Sequence, residues 1–584
     1  MKLIEHYLIL NAAYATQKSD VEIETTLSEI ISILGCSQPN AKGVLNRLKK
    51  QGWIRWKPGR GRGYRSRINF QLSLFDGIKM YVSEQLAQDH FKEGMEFLHS
   101  LSIPTQIHSF LGQYLEEWFG FQTEGDKEIK HILRIPMYRN LISLDPAQVS
   151  TAFEYHFAGQ IYDTLLRIDS TTKQIYPHLV LGWDTPNEKE WVFYLRKGIR
   201  FHHGRLLTSE DVIYTFQRVL DSTASVFYWL GRYLNKVESS GDHTVIFHFK
   251  QPFPFFPNIL SSNKASIVPY DVDIKQQVVG TGPFFVRSFS KEKLILEAFD
   301  HYFKERAWLD RVEIFRFPEE LQGRFSYKMT TKNVDSLELQ EKTVNQHVTI
   351  TQLIIFQTKK PGPQQHPAFR RAIRLALDRN TMINETNLKE VHPSDSFLHT
   401  HSKKRIFPSY TLSEAREDLK ESGYSGETLT MLIPSLQWRE NALWIQSRCN
   451  QIGVSLELLP LDLKKTLQKE FFQQAHLIMI NVILVGDSEI NLIEPFGNNS
   501  LYRQMFTLEE NQQMDMYMDR FISGKTTNER ISIWNEMEDW FRQENLILFQ
   551  FHFKEETAYS SNLQGYKFGS LGMYDFHNLW IKDK

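Results

Sequence analysis

Between Ile30 and Phe75 the sequence has no acidic residue, yet the same stretch holds ten basic ones: Lys42, Arg47, Lys49, Lys50, Arg55, Lys57, Arg60, Arg62, Arg65 and Arg67. The whole chain, 584 residues long, carries a formal net charge of only -1. A one-signed field near the start of a balanced chain attracts polyanions and neutralises phosphates, whereas the mixed charges of the remainder make it a poor polyanion binder. Cysteine is nearly missing. Cys36 and Cys449 match no metal-ligand spacing and exclude a disulfide framework, which suits a reducing compartment.

Long apolar runs are missing as well. The longest, Leu477 to Val485, is a strand's length, and Glu5 and His6 break the opening segment, leaving Tyr7 to Leu10 too short for a secretory core. These gaps predict a cytoplasmic protein without membrane insertion. No His-Glu-x-x-His, Gly-x-Ser-x-Gly or phosphate-loop motif occurs, so the expectation is a protein that is not an enzyme and uses no cofactor and no metal. The pair His202-His203 does not change this, because neighbours on an extended segment point to opposite faces.

The length exceeds what one core organises and predicts roughly three or four domains. Leu3, Tyr7, Leu10 and Tyr14 recur at helical spacing. Thr26 with Glu29 forms a capping box for a second helix that closes at Gly35. A third follows at once from Ser37 as N-cap, with Pro39 in its first turn and Ala41, Val44, Leu45 and Leu48 as one apolar stripe before Gly52. Trp53 to Lys57 and Tyr64 to Phe70 alternate around the glycine-arginine turn Pro58 to Gly63, a hairpin wing. The predicted unit is a winged helix-turn-helix over 1–71. Its candidate contacts to double-stranded DNA are Ser37, Gln38, Asn40, Lys42, Asn46, Arg47 and Lys50 on the third helix, with Lys57, Arg60, Arg62 and Arg65 on the wing. Helical amides and lysine suit base edges, and wing arginines suit phosphates or a narrow minor groove. A small interaction domain with solvated charges is the competing reading, and the lack of acids speaks against it.

Residues 72–128 read as a helical connector, with apolar Ile78, Val82 and Leu86 and a second segment around Phe97, Leu98, Ile107, Leu111, Leu115 and Trp118. Such a connector either spaces domains or makes a dimer contact, and a homodimer stays open. From 129 to 584 strands and helices mix.

One ordered series of blocks stands out in this body. Asn140 to Pro146, Gln160 to Arg167, Pro177 to Trp183 and Trp191 to Val212 are followed by Gly280 to Phe284, Asp300 to Phe303, Leu309 to Val312, Phe369 to Arg379 and Ile452 to Leu456. The series resembles the oligopeptide-type solute-binding proteins of family 5. With the head's Thr26-Leu27-Ser28-Glu29, Gly52-Trp53 and Arg65-Ser66-Arg67, and the closing Leu571 to Phe576, the chain resembles the SgrR family of regulators over essentially its whole length.

The resemblance implies a winged helix-turn-helix, a helical connector, and a two-lobed α/β domain of the periplasmic-binding-protein-like (type II) class. Lobe 1 is expected over about 129–347 and 554–584, and lobe 2 over about 358–545. The implied function is a transcriptional regulator controlled by a small solute such as a sugar phosphate or a short peptide. The alternative is a solute- or peptide-binding component of an ABC transport system. Val348 to Thr358 and Leu546 to Phe553 are the apolar runs expected to cross the hinge as a pair. Transport relatives place an asparagine where this chain has Gln357, and peptide-binding relatives place an acid near Asp487, a residue that also suits a plain turn. Trp438 and Arg439 are a second candidate solute contact, an aromatic beside a guanidinium, with a surface loop as the other reading.

Overall fold

In the computed structural model, the described residues are all except 1, 15–21, 60–63, 89, 102, 104–113, 116–117, 125–128, 139–140, 150, 170–171, 224, 318–341, 387–390, 403–406, 435–437, 462–468, 484–488, 498–499, 560–562, 566–574 and 583–584. The head begins with α1 (Leu3–Tyr14), whose periodic Tyr7 and Leu10 are fully buried. α2 (Leu27–Leu34) opens on the complete Thr26/Glu29 capping box and closes at Gly35, whose φ of 57° is the left-handed turn that glycine adopts without strain. α3 (Gln38–Lys50) follows after Ser37, with Pro39 in its first turn. β2 (Ile54–Lys57) and β3 (Ser66–Phe70) form the antiparallel wing, Ile54 opposite Phe70 and Lys57 opposite Arg67. A short strand β1 (Ile23–Thr25), not anticipated from the sequence, adds to the other edge of β3.

The connector helices α4 (Leu74–Ala87) and α5 (Phe91–Ser100) fold back on the head, so that Ile78, Val82 and Leu86 share one core with Tyr7, Leu8, Leu45 and Leu48. The boundary expected at 128 falls among residues outside the described ones. β4 (Gly120–Glu124) pairs antiparallel with β5 (Lys130–Met137), so Gly120–Glu124 is an edge strand of the body's sheet.

β4 and β5 edge a five-stranded sheet completed by Arg311–Arg316, Lys293–Ala298 and Phe284–Phe289, with β5 parallel to Arg311–Arg316. A four-stranded antiparallel sheet (Val180–Asp184, Glu190–Leu195, Leu234–Ser239, Thr244–Phe249) builds the rest of the first lobe. Two close approaches set the segment before Phe284–Phe289 against Ile161. A Cβ on Gly280 would lie 2.1 Å from the Ile161 carbonyl oxygen, and one on Gly282 would lie 2.5 Å from the Ile161 carbonyl carbon.

The second lobe is a six-stranded sheet in the order Val391–Pro393, Ile547–Tyr559, Lys342–Phe356, Leu477–Ile483, Leu429–Ile433 and Leu456–Pro460. The two runs expected to cross together do pair, antiparallel, from Lys342 opposite Tyr559 to Ile355 opposite Ile547. Helix Thr527–Gln543 packs on this sheet through Trp534, Phe397 and Phe549, and helix Leu508–Ser523 packs on Thr527–Gln543. After Tyr559 the chain returns to the first lobe, where Phe576 lies against Phe157 and Phe284.

Candidate nucleic-acid interface and lobe interface

α3 separates two functions by helical period. Ala41, Val44, Leu45 and Leu48 are buried toward the core, while Lys42, Asn46, Arg47 and Lys50 stand exposed on the opposite side, with Ser37, Gln38 and Asn40 exposed at its start. Gly43 lies open on the same outer side, with nothing near the place a Cβ would take. The face is therefore polar, cationic and low in relief, which suits entry into a major groove.

The wing is more nearly neutral than its sequence suggests. β1 brings two acids to it: Glu22 pairs with Lys57 at 2.8 Å and with Arg67 at 3.4 Å, and Glu24 pairs with Arg67 at 3.3 Å. Glu22 feels this directly, its carboxyl held below the ordinary range by the hydrogen bond and charge of Lys57 and then by Arg67. Lys57 thus has an acidic partner in the fold. Arg65 is exposed near the wing tip, and Arg60 and Arg62 lie outside the described residues. The pairing of β1 with β3 is the signal that would have found these acids, and a three-residue strand leaves too little pattern to see.

Of the solute candidates in the body, Gln357 is 3% exposed, its carboxamide packed among the backbone carbonyls of Phe472, Gln504 and Met505, while its backbone carbonyl accepts from Gln364 at 3.0 Å. It is packed into the second lobe rather than presented to a cleft. Trp438 turns its indole onto Phe553, centroids 4.6 Å apart, in a small cluster with Ile350, Met382 and Phe551, because burial of a large ring outweighs its display. Arg439 points to solvent at the start of helix Arg439–Ile452, so the two side chains do not form a joint clamp. Asp487 lies outside the described residues.

His202 and His203 part company as their adjacency predicts. The His202 ring lies 3.0 Å from the Gly282 carbonyl and 3.2 Å from the Gly280 amide, whereas His203 faces Asp271 at 3.2 Å. Among the described residues no three histidine, cysteine or acidic side chains gather as metal ligands, and no helix is long and apolar enough to cross a membrane. Asp163, fully buried, accepts from His178 at 2.6 Å, Arg167 at 3.0 Å and Thr281 at 3.2 Å. Burial opposes its ionisation, yet His178 and Arg167 hold the carboxyl well below the usual carboxylate range.

The lobes meet along a face no motif announces. Lys264, from the first lobe, contacts Glu494 of the second, their side chains 13% and 8% exposed. Beside them Phe255 meets Phe521 edge-on at 5.3 Å, Arg232 pairs with Asp515 at 2.6 Å, and Tyr233 donates to Asp519. Gly497 is required there, since a Cβ would lie 2.5 Å from Trp229 Cδ1.

Comparison with known proteins now bears on both halves. The model for bacterial extracellular solute-binding proteins, family 5 middle, matches residues 174–500, more than half of the chain, and the model for the sugar transport-related sRNA regulator N-terminus matches residues 2–118. The protein YhjP of Bacillus subtilis is 32% identical over 588 residues, covering 100% of both chains. The chain belongs to the bacterial extracellular solute-binding proteins of family 5, with an N-terminus similar to that of the sugar transport-related sRNA regulators.

The HTH-type transcriptional regulator SgrR of Yersinia enterocolitica is 31% identical over 311 residues, so the match spans about half of either chain, 52%. The corresponding regulator of Photorhabdus laumondii is 33% identical over 304 residues. Among solved structures, the periplasmic binding protein DppA of Helicobacter pylori in complex with the peptide STSA superposes with a TM-score of 0.66 at 20% identity, covering 77% of this chain and 98% of that one. The dipeptide-binding protein of Pseudoalteromonas sp. SM9913 in complex with Met-Leu gives 0.65 at 18%, over 77% and 100%. At these identities the likeness establishes the two-lobed fold of the body.

Proposed function

We propose that this protein is a DNA-binding transcriptional regulator whose winged head is governed by a small solute taken up between the lobes of its body. The observation that carries the reading is the outer face of α3, where Lys42, Asn46, Arg47 and Lys50 stand exposed on a helix whose opposite stripe is core. A transport component has no use for such a face. Regulators that match this chain support the reading, as do the peptide-bound relatives of the body, and they make a short peptide or a sugar phosphate the first solutes to test. The cytoplasm is the compartment in which such a protein meets DNA.

Coupling needs a physical route and a free-energy difference. The route is the strand Arg311–Arg316: Phe315 and Phe317 at its end are buried in the core of head and connector, so a movement of the body's five-stranded sheet reaches the head. A solute that prefers one arrangement of the lobes by about 1–3 kcal/mol shifts the head by the same amount, and one without a preference shifts nothing. The test is binding of the full chain to DNA from its own upstream region, at two salt concentrations, with and without short peptides and sugar phosphates. Sequence-specific binding that a solute alters is the expected result. Binding that is absent or indifferent to sequence removes the regulator reading.

A further inference from the structure

Solute-binding bodies are ordinarily pictured as open until a ligand draws the lobes together. Here the lobes already touch through their own side chains. The Lys264 ammonium sits on a short turn, Asn263–Ala265, anchored to the first lobe by Asn263, whose amide nitrogens reach the Tyr155 hydroxyl at 3.4 Å and carbonyl at 3.2 Å. Glu494 begins the turn Glu494–Phe496, whose Phe496 stacks into the ring cluster of the second lobe on Phe541 and Trp534. Each charge is thus rigidly presented, and each is almost completely withdrawn from water. Burial brings the Lys264 ammonium down to about 8, a shift that the charge of Glu154 in the first lobe partly offsets. Trp229 fitted over Gly497, Phe255 against Phe521 and the Arg232–Asp515 pair extend the contact on both sides, and one continuous apolar core runs through it.

We propose that the Lys264–Glu494 ion pair is a latch that holds the lobes together in the absence of solute. The physical reason is the asymmetry of buried ion pairs. Such a pair adds little over a hydrophobic replacement of both partners, but removing one partner leaves an uncompensated buried charge, and the interface must open to hydrate it. The latch also sets a rule for solutes entering at this point. A molecule that displaces the pair has to offer an anionic group to Lys264 and a cationic group to Glu494 together, because a singly charged solute leaves one of the two buried and unpaired. The inference stands on the lobe contacts and adds to the regulator reading what holds the body closed before a solute enters.

Small-angle X-ray scattering of the full chain, with native mass spectrometry confirming that no solute is bound, tests the latch. Wild type is expected to scatter as the closed form. Lys264→Met and Glu494→Gln are each expected to shift to a larger radius of gyration, and the exchanged pair Lys264→Glu with Glu494→Lys to return toward the wild-type value. Circular dichroism separates opening from unfolding, and the exchanged pair keeps the test decisive if a single variant folds poorly. A solute-free wild type that scatters as an open molecule overturns the proposal. So do folded single variants as compact as wild type, or an exchanged pair that is folded and stays open. Promoter binding measured on the same samples reads the head separately, so a failed latch with intact DNA binding leaves the regulator reading in place.

Discussion

The indole of Trp118 meets the ring of Phe315 edge to face, centroids 4.8 Å apart and planes at 75°. The first residue ends the connector and the second ends a strand of the body's five-stranded sheet, so head and body share a core. Phe119 and Phe317 repeat the contact at 5.3 Å, and the Arg134 guanidinium covers the outer face of Trp118 at 4.4 Å while pairing with Glu313 at 2.9 Å. Aromatic pairs of this kind add about 0.5–1.5 kcal/mol beyond their buried area, which makes the junction a rigid joint instead of a linker.

Phe315→Ala empties part of that joint. The expected loss is about 3–5 kcal/mol, the range for a buried phenylalanine, with the head unfolding ahead of the body where wild type unfolds them together. Urea titration followed by Trp118 fluorescence and by far-ultraviolet dichroism measures it; coincident transitions in the variant would show that the joint does not couple the two.

Arg47→Ala and Asn46→Ala are expected to separate two kinds of DNA contact. Loss of Arg47 weakens binding to all sequences alike and lowers the salt slope by about one, as for one phosphate contact. Loss of Asn46 changes preference at one base position by about 1–3 kcal/mol and leaves the slope alone. Competition binding at several salt concentrations distinguishes them, and equal effects of Asn46→Ala on every sequence would remove it from base readout.

Glu22→Gln with Glu24→Gln frees Lys57 and Arg67 from their acidic partners. Nonspecific DNA affinity is expected to rise, together with its salt dependence, because two more cations become available to phosphates. Filter binding to unrelated duplex at low and high salt reads this, and an unchanged affinity would place the wing away from DNA.

Acid is expected to destabilise the fold below about pH 6.5, the ordinary histidine range. Burial brings His156 and His202 down to about 4 and His552 to about 3. Unfolded, these imidazoles take up protons as the pH falls through 6.5, whereas folded they stay neutral until near 4. The unfolded state therefore binds more protons throughout that window, and stability falls as the pH drops. Urea midpoints at pH 7.5, 6 and 5 check the direction. His202→Gln is expected to flatten the dependence, and a midpoint that rises on acidification would contradict the assignment.

Much of the head was legible because its signals are local. The Thr26/Glu29 box, the Gly35 closure and the apolar stripe of α3 lie within a few residues of one another, and each fixes a helix end or a buried face without help from the rest of the chain. The body was legible through ordered blocks such as Gly280 to Phe284, whose glycines the fold uses for close approach to Ile161. The surroundings of the solute candidates could not be read from the sequence: Trp438 packs on Phe553 and Gln357 is buried in the second lobe, contacts that distant segments supply.

Periodicity, capping and charge run along the chain, so the helix-turn-helix, the one-signed face of α3 and the two long apolar runs that pair in the second lobe could be read from the sequence. What could not be read there is that Glu22 and Glu24 temper the wing, that Phe315 and Phe317 complete the core of the head, and that Lys264 meets Glu494 across 230 residues of sequence. These relations depend on which surfaces exclude water together. That is settled by the packing of distant segments, which no local pattern encodes.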